Sequence, residues 1–525
     1  MKGSAAIIGG GIAGLATAAL LAADGYEVEL FEQQNEVGGR AGSYEVDGFR
    51  FDTGPSWYLM PEVFDHFFQL FGSTADKELD LQVLDPAYRV FFEGAVPLEI
   101  TSRTDENVRM FESVEPGGGE QLRRYLASSK EAYDLALKHF LYTNFTSPTG
   151  LLSADVVTRL HKLFPLLTQP LEKFVGKKFT DNRLRQILGY PAVFLGSSPE
   201  RTPSLYHLMS ALDLTGGVMY PQGGFTTLID AIRRLAVQAG ATITTGAAVT
   251  EIVTAPLPKK RVGGKRAKTA GLRWRDREGA SHWHPADIVV GAGDLHHLET
   301  EILPESLQTY PQSYWDKRTS GPGAVLVLLG VEGELPQLPH HSLFFTDDWH
   351  ANFDAIREDR MPSPASAYVC KPSATDPSVA PEGHENLFIL VPVPADPAIG
   401  RGGADGAGDR AVEEAADAAI AQMSSWAGIP DLADRIVVRR TIGPGDFAAD
   451  LSAWKGGMLG PAHTLRQSAM FRTGNRSRHI EGLYYAGSST IPGIGLPMCL
   501  ISAELVAKHL RGDRSAQPLK GLADT

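Results

Sequence analysis

Residues 5–14 read Ala5-Ala6-Ile7-Ile8-Gly9-Gly10-Gly11-Ile12-Ala13-Gly14. A short apolar run ends on glycines spaced as G-x-G-x-x-G. Residues 12–23 are rich in Ala and Leu and read as a helix. Gly25 closes it, and residues 27–31 alternate as a second strand. Strand, glycine-rich turn, helix and strand in this order make a βαβ unit. Gly9 permits the tight turn, Gly11 lets the backbone approach a pyrophosphate, and Gly14 lets helix and strand pack closely. The helix N-terminus offers free N–H groups and a partial positive charge to phosphates. Glu32 ends the second strand 18 positions after Gly14. A carboxylate there accepts hydrogen bonds from ribose hydroxyls and repels a 2′-phosphate.

Just downstream stand Gly38-Gly39-Arg40 and Phe51-Asp52-Thr53-Gly54-Pro55. Paired glycines bring backbone near a ligand, and Arg40 is a fork donor suited to phosphate. The chain has 525 residues, enough for two or three domains, and 43% apolar residues to fill their cores. Its net charge of −13 argues against nucleic acid as a partner. Two cysteines, Cys370 and Cys499, make no disulfide framework, and a reducing compartment is expected. No apolar run reaches the roughly 18 residues of a membrane-spanning helix. The glycines at 9–14 break the N-terminal apolar stretch, which reads as mature fold and not as a signal peptide.

Between these ends the pattern is helical from 119 to about 214. Leu122, Leu126, Tyr133, Leu137 and Phe140 share one helical face. Further helical stretches are expected at 151–164, 171–175 and 183–194, punctuated by prolines at 165, 170, 191, 199 and 203. A helix over 231–239 is closed by Gly240. Strands are expected at 242–253, 270–274, 288–292, 324–331, 387–391, 435–440 and 483–486, and a last helix over 496–510. Residues 400–408 read as a mobile Gly/Ala/Asp linker. His296-His297 and His340-His341 are adjacent pairs whose side chains project apart and mark loops; no metal ligand set is expected. No G-x-S-x-G elbow or Cys/His nucleophile stands out.

These motifs resemble the flavin amine-oxidase-like superfamily and, within it, the bacterial-type phytoene desaturases. Three segments carry the closer match. The first runs from Gly38-Gly39-Arg40-Ala41 to Phe51-Asp52-Thr53-Gly54-Pro55. The second is Tyr220-Pro221-Gln222-Gly223-Gly224, and the third Leu483-Tyr484-Tyr485-Ala486-Gly487-Ser488-Ser489-Thr490-Ile491-Pro492-Gly493-Ile494-Gly495-Leu496-Pro497. Ala380-Pro381-Glu382-Gly383 is also similar. The resemblance implies an α/β fold: a discontinuous Rossmann-type FAD-binding domain (1–80, 218–300, 480–512) interleaved with a mixed-sheet substrate domain (81–112, 301–479). It further implies a helical, membrane-associated region (113–217) and a flexible tail (513–525). Gly9, Gly11, Gly14, Glu32, Gly39, Arg40, Gly54 and Pro55 would hold the cofactor. Val249 would meet the adenine, and Gly487 the flavin. The Gly495-Leu496-Pro497-Met498 turn would set a helix N-terminus against the isoalloxazine, where a reduced flavin anion gains from it. Met498 stands where relatives often have a small residue, and Ile491 near a position often polar. That departure bears on substrate and step number, not on the cofactor.

The implied activity is desaturation of phytoene with FAD as hydride acceptor and quinone or oxygen as the final oxidant. Asp181 and Arg185 are the candidate proton-handling residues; the alternative is a helix cap with solvated arginines. A polyprenoid hydrocarbon must be met at a lipid surface, so a peripheral enzyme on the inner face of the cell membrane, in the cytoplasm, is expected. Residues 151–194, with Leu163, Phe164, Leu166, Leu167, Phe174, Phe179 and Phe194 beside lysines, suit that interface or, equally, the amphipathic wall of the substrate domain. The basic loop of Lys259, Lys260, Arg261, Lys265, Arg266 and Lys268 also suits the interface, unless it is simply solvated. The rivals are a diapophytoene desaturase, a carotenoid isomerase, an amine oxidase, or a prenyl-binding escort without redox chemistry.

Overall fold

Ser4–Ile8 is the middle strand of a five-stranded parallel sheet ordered Leu483–Tyr485, Ile288–Gly291, Ser4–Ile8, Glu27–Glu32, Thr242–Thr245. The computed structural model describes residues 2–145, 154–258 and 264–522. A parallel sheet covered on both faces has no solvent side, which is why Ala5-Ala6-Ile7-Ile8 is apolar without alternation. Ala5 and Ile7 face the helices Ile12–Ala23, Phe225–Gln238 and Leu496–Arg511. Ala6 and Ile8 face the opposite layer with Leu272, Leu298 and Trp315. Nearly every side chain of Ile12–Ala23 is buried, because the helix lies beneath two others.

A second, seven-stranded sheet is ordered Ile436–Ile442, Gly323–Glu332, His384–Val393, Ala367–Cys370, His341–Phe345, Tyr88–Phe92, Ala95–Ile100. All its neighbours are antiparallel except His341–Phe345 with Tyr88–Phe92. Val325, Val327 and Leu329 pack on the helix Arg410–Ala427. Leu326 points to the other side, where the large cavity lies. Two faces are thus filled by one continuous apolar run. The mixed α/β architecture agrees with the expected fold class.

Several local expectations are corrected. Residues 242–253 are two strands in two sheets, Thr242–Thr245 and Ala248–Pro256. Gly246 at φ +66° turns the chain between them, and Ala247 N–H binds Glu32 O at 2.8 Å. Pro165 lies inside the helix Ala154–Thr168 and does not end it. Only the Pro165 N–H is missing, and its carbonyl still accepts from Gln169 N–H at 2.9 Å. Residues 400–408 are no free linker. Gly402 N–H binds Asp446, Gly403 N–H binds Thr441 Oγ1 at 2.8 Å, and Thr441 N–H returns to Gly403 O. A Cβ on Gly402 would strike the Thr441 backbone and one on Gly403 the backbone of Ala407 and Gly408, so the glycines serve close approach and not mobility. Cys370 and Cys499 are buried and unpaired.

The tail is also held down. Lys508 is fully buried and its ammonium donates to Tyr142 O (2.8 Å), Ser515 O (2.8 Å) and Gln517 O (2.6 Å). Leu519 is buried with its N–H on Glu504, and Arg511 donates to Gly521 O. A buried cation satisfied by three carbonyls fastens residues 515–522 to the last helix. Lys508→Met leaves those carbonyls unpaired, at about 1–3 kcal/mol each. We expect a lower melting temperature and early proteolytic loss of the C-terminus. An unchanged digestion pattern would show that Leu519 packing alone secures the tail.

Candidate functional site

The glycine turn is built by its own hydrogen bonds. Gly9, at φ +101°, donates to Phe31 O at 2.8 Å. Glu32 accepts Gly10 N–H at 2.5 Å and Gln34 N–H at 2.8 Å, tying the second strand to the turn. Gly38 N–H binds Gly10 O at 2.9 Å and carries Gly39 and Arg40 to the same place. Glu32 thus has a structural duty that the sequence did not disclose. A carboxylate has about four acceptor sites, so capacity for ribose hydroxyls remains.

The glycines divide into two classes. A Cβ on Gly14 would lie 1.9 Å from Gly9 O, and one on Gly54 1.9 Å from Arg40 O. These two serve the protein's own packing. A Cβ on Gly11 would meet nothing closer than Gly38 O at 3.9 Å, and one on Gly293 nothing within 4 Å. Both line the cavity, so the space they keep open is ligand space. Arg40 Nε and Nη2 are buried without a hydrogen-bond partner, and the nearest carboxylate, Asp294, is 3.9 Å from Nη2. Open backbone, an unsatisfied guanidinium and an uncapped helix start at Ile12 together fit a pyrophosphate.

The same cavity is lined by Val249, by Gly54 and Pro55, and by Gly487, Gly495, Leu496, Pro497 and Met498. Distant segments of the chain therefore meet on one wall. Gly487 donates to Ser502 Oγ at 2.7 Å, and Pro497 occupies the first turn of Leu496–Arg511. Beyond them the cavity wall is apolar and aromatic: Phe194, Leu212, Leu343, Phe345, Trp349 and Leu390. Four tyrosines join this lining, and each hydroxyl has a partner inside the wall. Tyr133 binds Glu62, Tyr206 binds His463 Nδ1 at 2.6 Å, and Tyr368 binds Ser56 Oγ at 2.6 Å and His341 Nδ1 at 2.8 Å. Tyr190 donates to Asp213 at 2.8 Å, and Tyr88 donates to the same oxygen at 2.9 Å. Burial pushes the Asp213 carboxyl up to about 6, opposed by the two phenol hydrogen bonds. Its Oδ1 has no partner.

The candidate proton acceptors from the sequence are corrected. Asp181 caps the helix Asn182–Gly189, accepting Arg183 N–H at 2.9 Å and pairing with the Arg183 guanidinium, which holds its carboxyl below the usual range. Arg185 Nε donates to Phe179 O at 2.6 Å. Neither residue lines the cavity. The structure instead sets Asp213 behind Tyr190 in the cavity lining, a placement the sequence reading did not anticipate. The usable signal was a lone carboxylate in the apolar stretch Ala211-Leu212-Asp213-Leu214. Nor do His340 and His341 mark a loop. Both are buried beside the strand His341–Phe345, their ring centroids 4.5 Å apart, and His341 stacks on Trp57 at 4.8 Å. With Cys370 they form a group whose ligating atoms lie within 4.8 Å. Burial drives His340 down to about 3 and holds His341 well below the usual imidazole value, so both rings are neutral.

The two glycine classes separate in an experiment. Gly11→Val should yield soluble, folded protein that loses bound cofactor, because its side chain fills ligand space. Gly14→Val should fail to fold, because its side chain meets a carbonyl. Absorbance and circular dichroism of the two purified variants check this, and full cofactor retention in Gly11→Val would displace the pyrophosphate from this turn.

Comparison with known proteins agrees with this geometry. The model of the flavin containing amine oxidoreductase family matches residues 12–511. A carotenoid 3,4-desaturase of Haloarcula japonica is 41% identical over 97% of this chain and 98% of its own length. A zeta-carotene-forming phytoene desaturase of Myxococcus xanthus is 33% identical over 98% of each chain. Among solved structures, an oxidoreductase from Methanosarcina mazei superposes with a TM-score of 0.59 at 17% identity, covering 96% of this chain and 100% of its own. Putrescine oxidase bound to putrescine also reaches 0.59, at 15% identity, with 97% and 99% covered. These structural likenesses speak for the fold. With a family match across almost all of its length, the chain belongs to the flavin-containing amine oxidoreductases and, within them, to the carotenoid-desaturase branch.

Proposed function

We propose that this protein is an FAD-dependent desaturase of a C40 polyprenoid, introducing double bonds into phytoene. The observation that carries the reading is a single cavity lined both by the dinucleotide cradle and by a long apolar, aromatic wall. Bound there, FAD supplies the hydride acceptor. Gly9, Gly11, Glu32, Gly39 and Arg40 would hold its ADP half, with Gly14 setting the close helix–strand contact beneath them; Val249 would meet the adenine, and the turn at 495–498 would address the flavin ring. The apolar wall aligns the hydrocarbon and keeps water from the reacting carbons. The proton released with each new double bond passes to Tyr190 as Tyr190 hands its own to Asp213. The final electron acceptor is a quinone or oxygen.

A water-insoluble substrate calls for a lipid surface, on the cytoplasmic face of the cell membrane. Among the described residues no helix is long and apolar enough to cross a membrane. Among the described side chains of residues 151–194, Phe164 and Leu167, 63% and 45% exposed, are the large apolar ones open to contact; that of Leu163 lies outside the described ones. Phe179 is fully buried and Phe194 lines the cavity, so neither serves it. The basic loop contributes less than its charge count suggests. Lys265 donates to Ser477 O and Ile480 O, and Arg266 to Ser306 O. Lys259, Lys260 and Arg261 lie outside the described residues, as does Leu151.

The 41% identity to a carotenoid 3,4-desaturase favours a second reading, in which the substrate is an already conjugated carotene. Purified flavin-loaded protein in liposomes with a quinone, given phytoene or lycopene separately, decides between them. New visible absorption from colourless phytoene supports the first reading. Conversion of lycopene alone supports the second, and no conversion of either defeats both. Asp213→Asn should lower turnover by roughly 10²–10⁴, the usual range for a lost proton acceptor. The carboxylate accepts only when ionised, so wild-type turnover should rise as pH climbs through about 6. The groups facing it are Tyr88, Tyr190 and Tyr125, with no cation among them, so this limb is assigned to Asp213. Persistence of the limb in Asp213→Asn would remove it from the mechanism.

A further inference from the structure

Arg472 is a buried cation that no carboxylate neutralises. It is 6% exposed, and among the described residues it takes part in no ion pair. Its donors go to main-chain carbonyls. Nε binds Thr490 O at 3.1 Å, Nη1 binds Pro461 O at 3.2 Å and Gln467 O at 3.4 Å, and Nη2 binds Ser488 O. Burial lowers its basicity only to about 10, so it stays charged at neutral pH. Retaining an unpaired buried charge is costly unless the surroundings gain from it.

Its location suggests what gains. Ser488 lines the cavity next to Gly487, and Gly495 and Leu496 open the helix on the same wall. The guanidinium stands one residue behind that wall. The side chains around it leave its field intact. His463 accepts Ile494 N–H on Nε2 at 3.3 Å, so the neutral ring carries its proton on Nδ1 and donates to Tyr206. Burial keeps that imidazole uncharged. Tyr206 and Tyr314 are phenols whose acidity burial suppresses. Arg40, which lines the cavity itself, by contrast has Asp294 within 3.9 Å.

We propose that Arg472 is a positioning residue for the flavin's redox chemistry: its uncompensated charge behind Ser488 raises the reduction potential of the bound flavin. Two electrons and one proton convert the neutral oxidised ring to a reduced anion. A fixed positive charge in a water-poor wall favours the anion over the neutral form. It adds to the N-terminal dipole of Leu496–Arg511, which falls off within one turn. This rests on the flavin reading above.

The test is a potentiometric titration of flavin absorbance in the wild-type holoenzyme, Arg472→Gln and Arg472→Lys. Arg472→Gln should shift the reduced-to-oxidised equilibrium about tenfold toward oxidised, which for a two-electron couple is about 30 mV. Arg472→Lys keeps the charge with fewer hydrogen bonds and should titrate near wild type. A fall in Arg472→Lys equal to that in Arg472→Gln, or no fall in Arg472→Gln, overturns the proposal. A second measurement covers the case in which Arg472→Gln fails to fold. The wild-type potential should change with pH at one proton per two electrons across neutrality. Two protons would mean a neutral reduced ring, with no anion for Arg472 to favour, and the proposal fails. A wild-type protein that holds no flavin at all defeats the flavin reading itself, and a normal flavin with an unshifted Arg472→Gln defeats only this inference.

Discussion

The Gly14 contact with the Gly9 carbonyl sets the geometry on which the molecule depends. No other residue type lets the helix Ile12–Ala23 start this close to its preceding strand, because a Cβ would sit 1.9 Å from that oxygen. The helix then lies low enough on the sheet for two more helices to cover it, which buries it almost entirely. Its first N–H groups face the same space as Arg40. Glu32 fastens the turn from the other side by accepting Gly10 and Gln34 N–H. Loss of the close contact would therefore move the phosphate cradle and the central strand together.

The apolar part of the cavity lining answers a different constraint: it must be closed to water while offering few polar groups to a hydrocarbon. Buried tyrosines bring large apolar rings, but each carries a hydroxyl that must be satisfied. In this wall the hydroxyls of Tyr133, Tyr190, Tyr206 and Tyr368 all turn to partners within the protein. Trp57 and Trp349 depart from that pattern, since their indole N–H groups have no partner. Trp57 is nevertheless in ring contact with Tyr88, Tyr190, Phe194 and His341, so its position is set by aromatic packing.

What was legible in the sequence was what depends on local spacing. The βαβ unit, the role of Gly11 as open space, the last helix with Pro497 in its first turn, and the buried strand near 324–331 all follow from neighbours in the chain. What was not legible depends on contacts between distant segments. Asp181 could be read as a cap or as a base, and only its hydrogen bond to Arg183 N–H and its absence from the cavity decide for the cap. Residues 400–408 have the composition of a linker, yet Asp446 and Thr441, some forty positions away, pin them. His340 and His341 look divergent as sequence neighbours, but the turn into the strand brings both rings into one buried cluster. Asp213 became visible only when Tyr88 and Tyr190, 125 and 23 positions away, converged on it.

Charge placement links these features to chemistry. Two guanidiniums, Arg40 lining the cavity and Arg472 behind its wall, differ in their surroundings. Arg40 faces Asp294 and leaves two of its nitrogens unsatisfied, which suits an anion that arrives with the ligand. Arg472 stands behind the wall and gives four of its five N–H donors to main-chain carbonyls. A group with unsatisfied donors in the cavity binds directly, whereas one engaged with the main chain behind the wall acts through its field. Asp213 is the counterpart of opposite sign, a buried carboxylate behind a phenol that does touch the cavity. Removing hydrogen from a hydrocarbon separates it into a hydride and a proton. On the proposed reading, a buried cation behind Ser488 would favour the hydride acceptor and a buried carboxylate behind Tyr190 would favour departure of the proton.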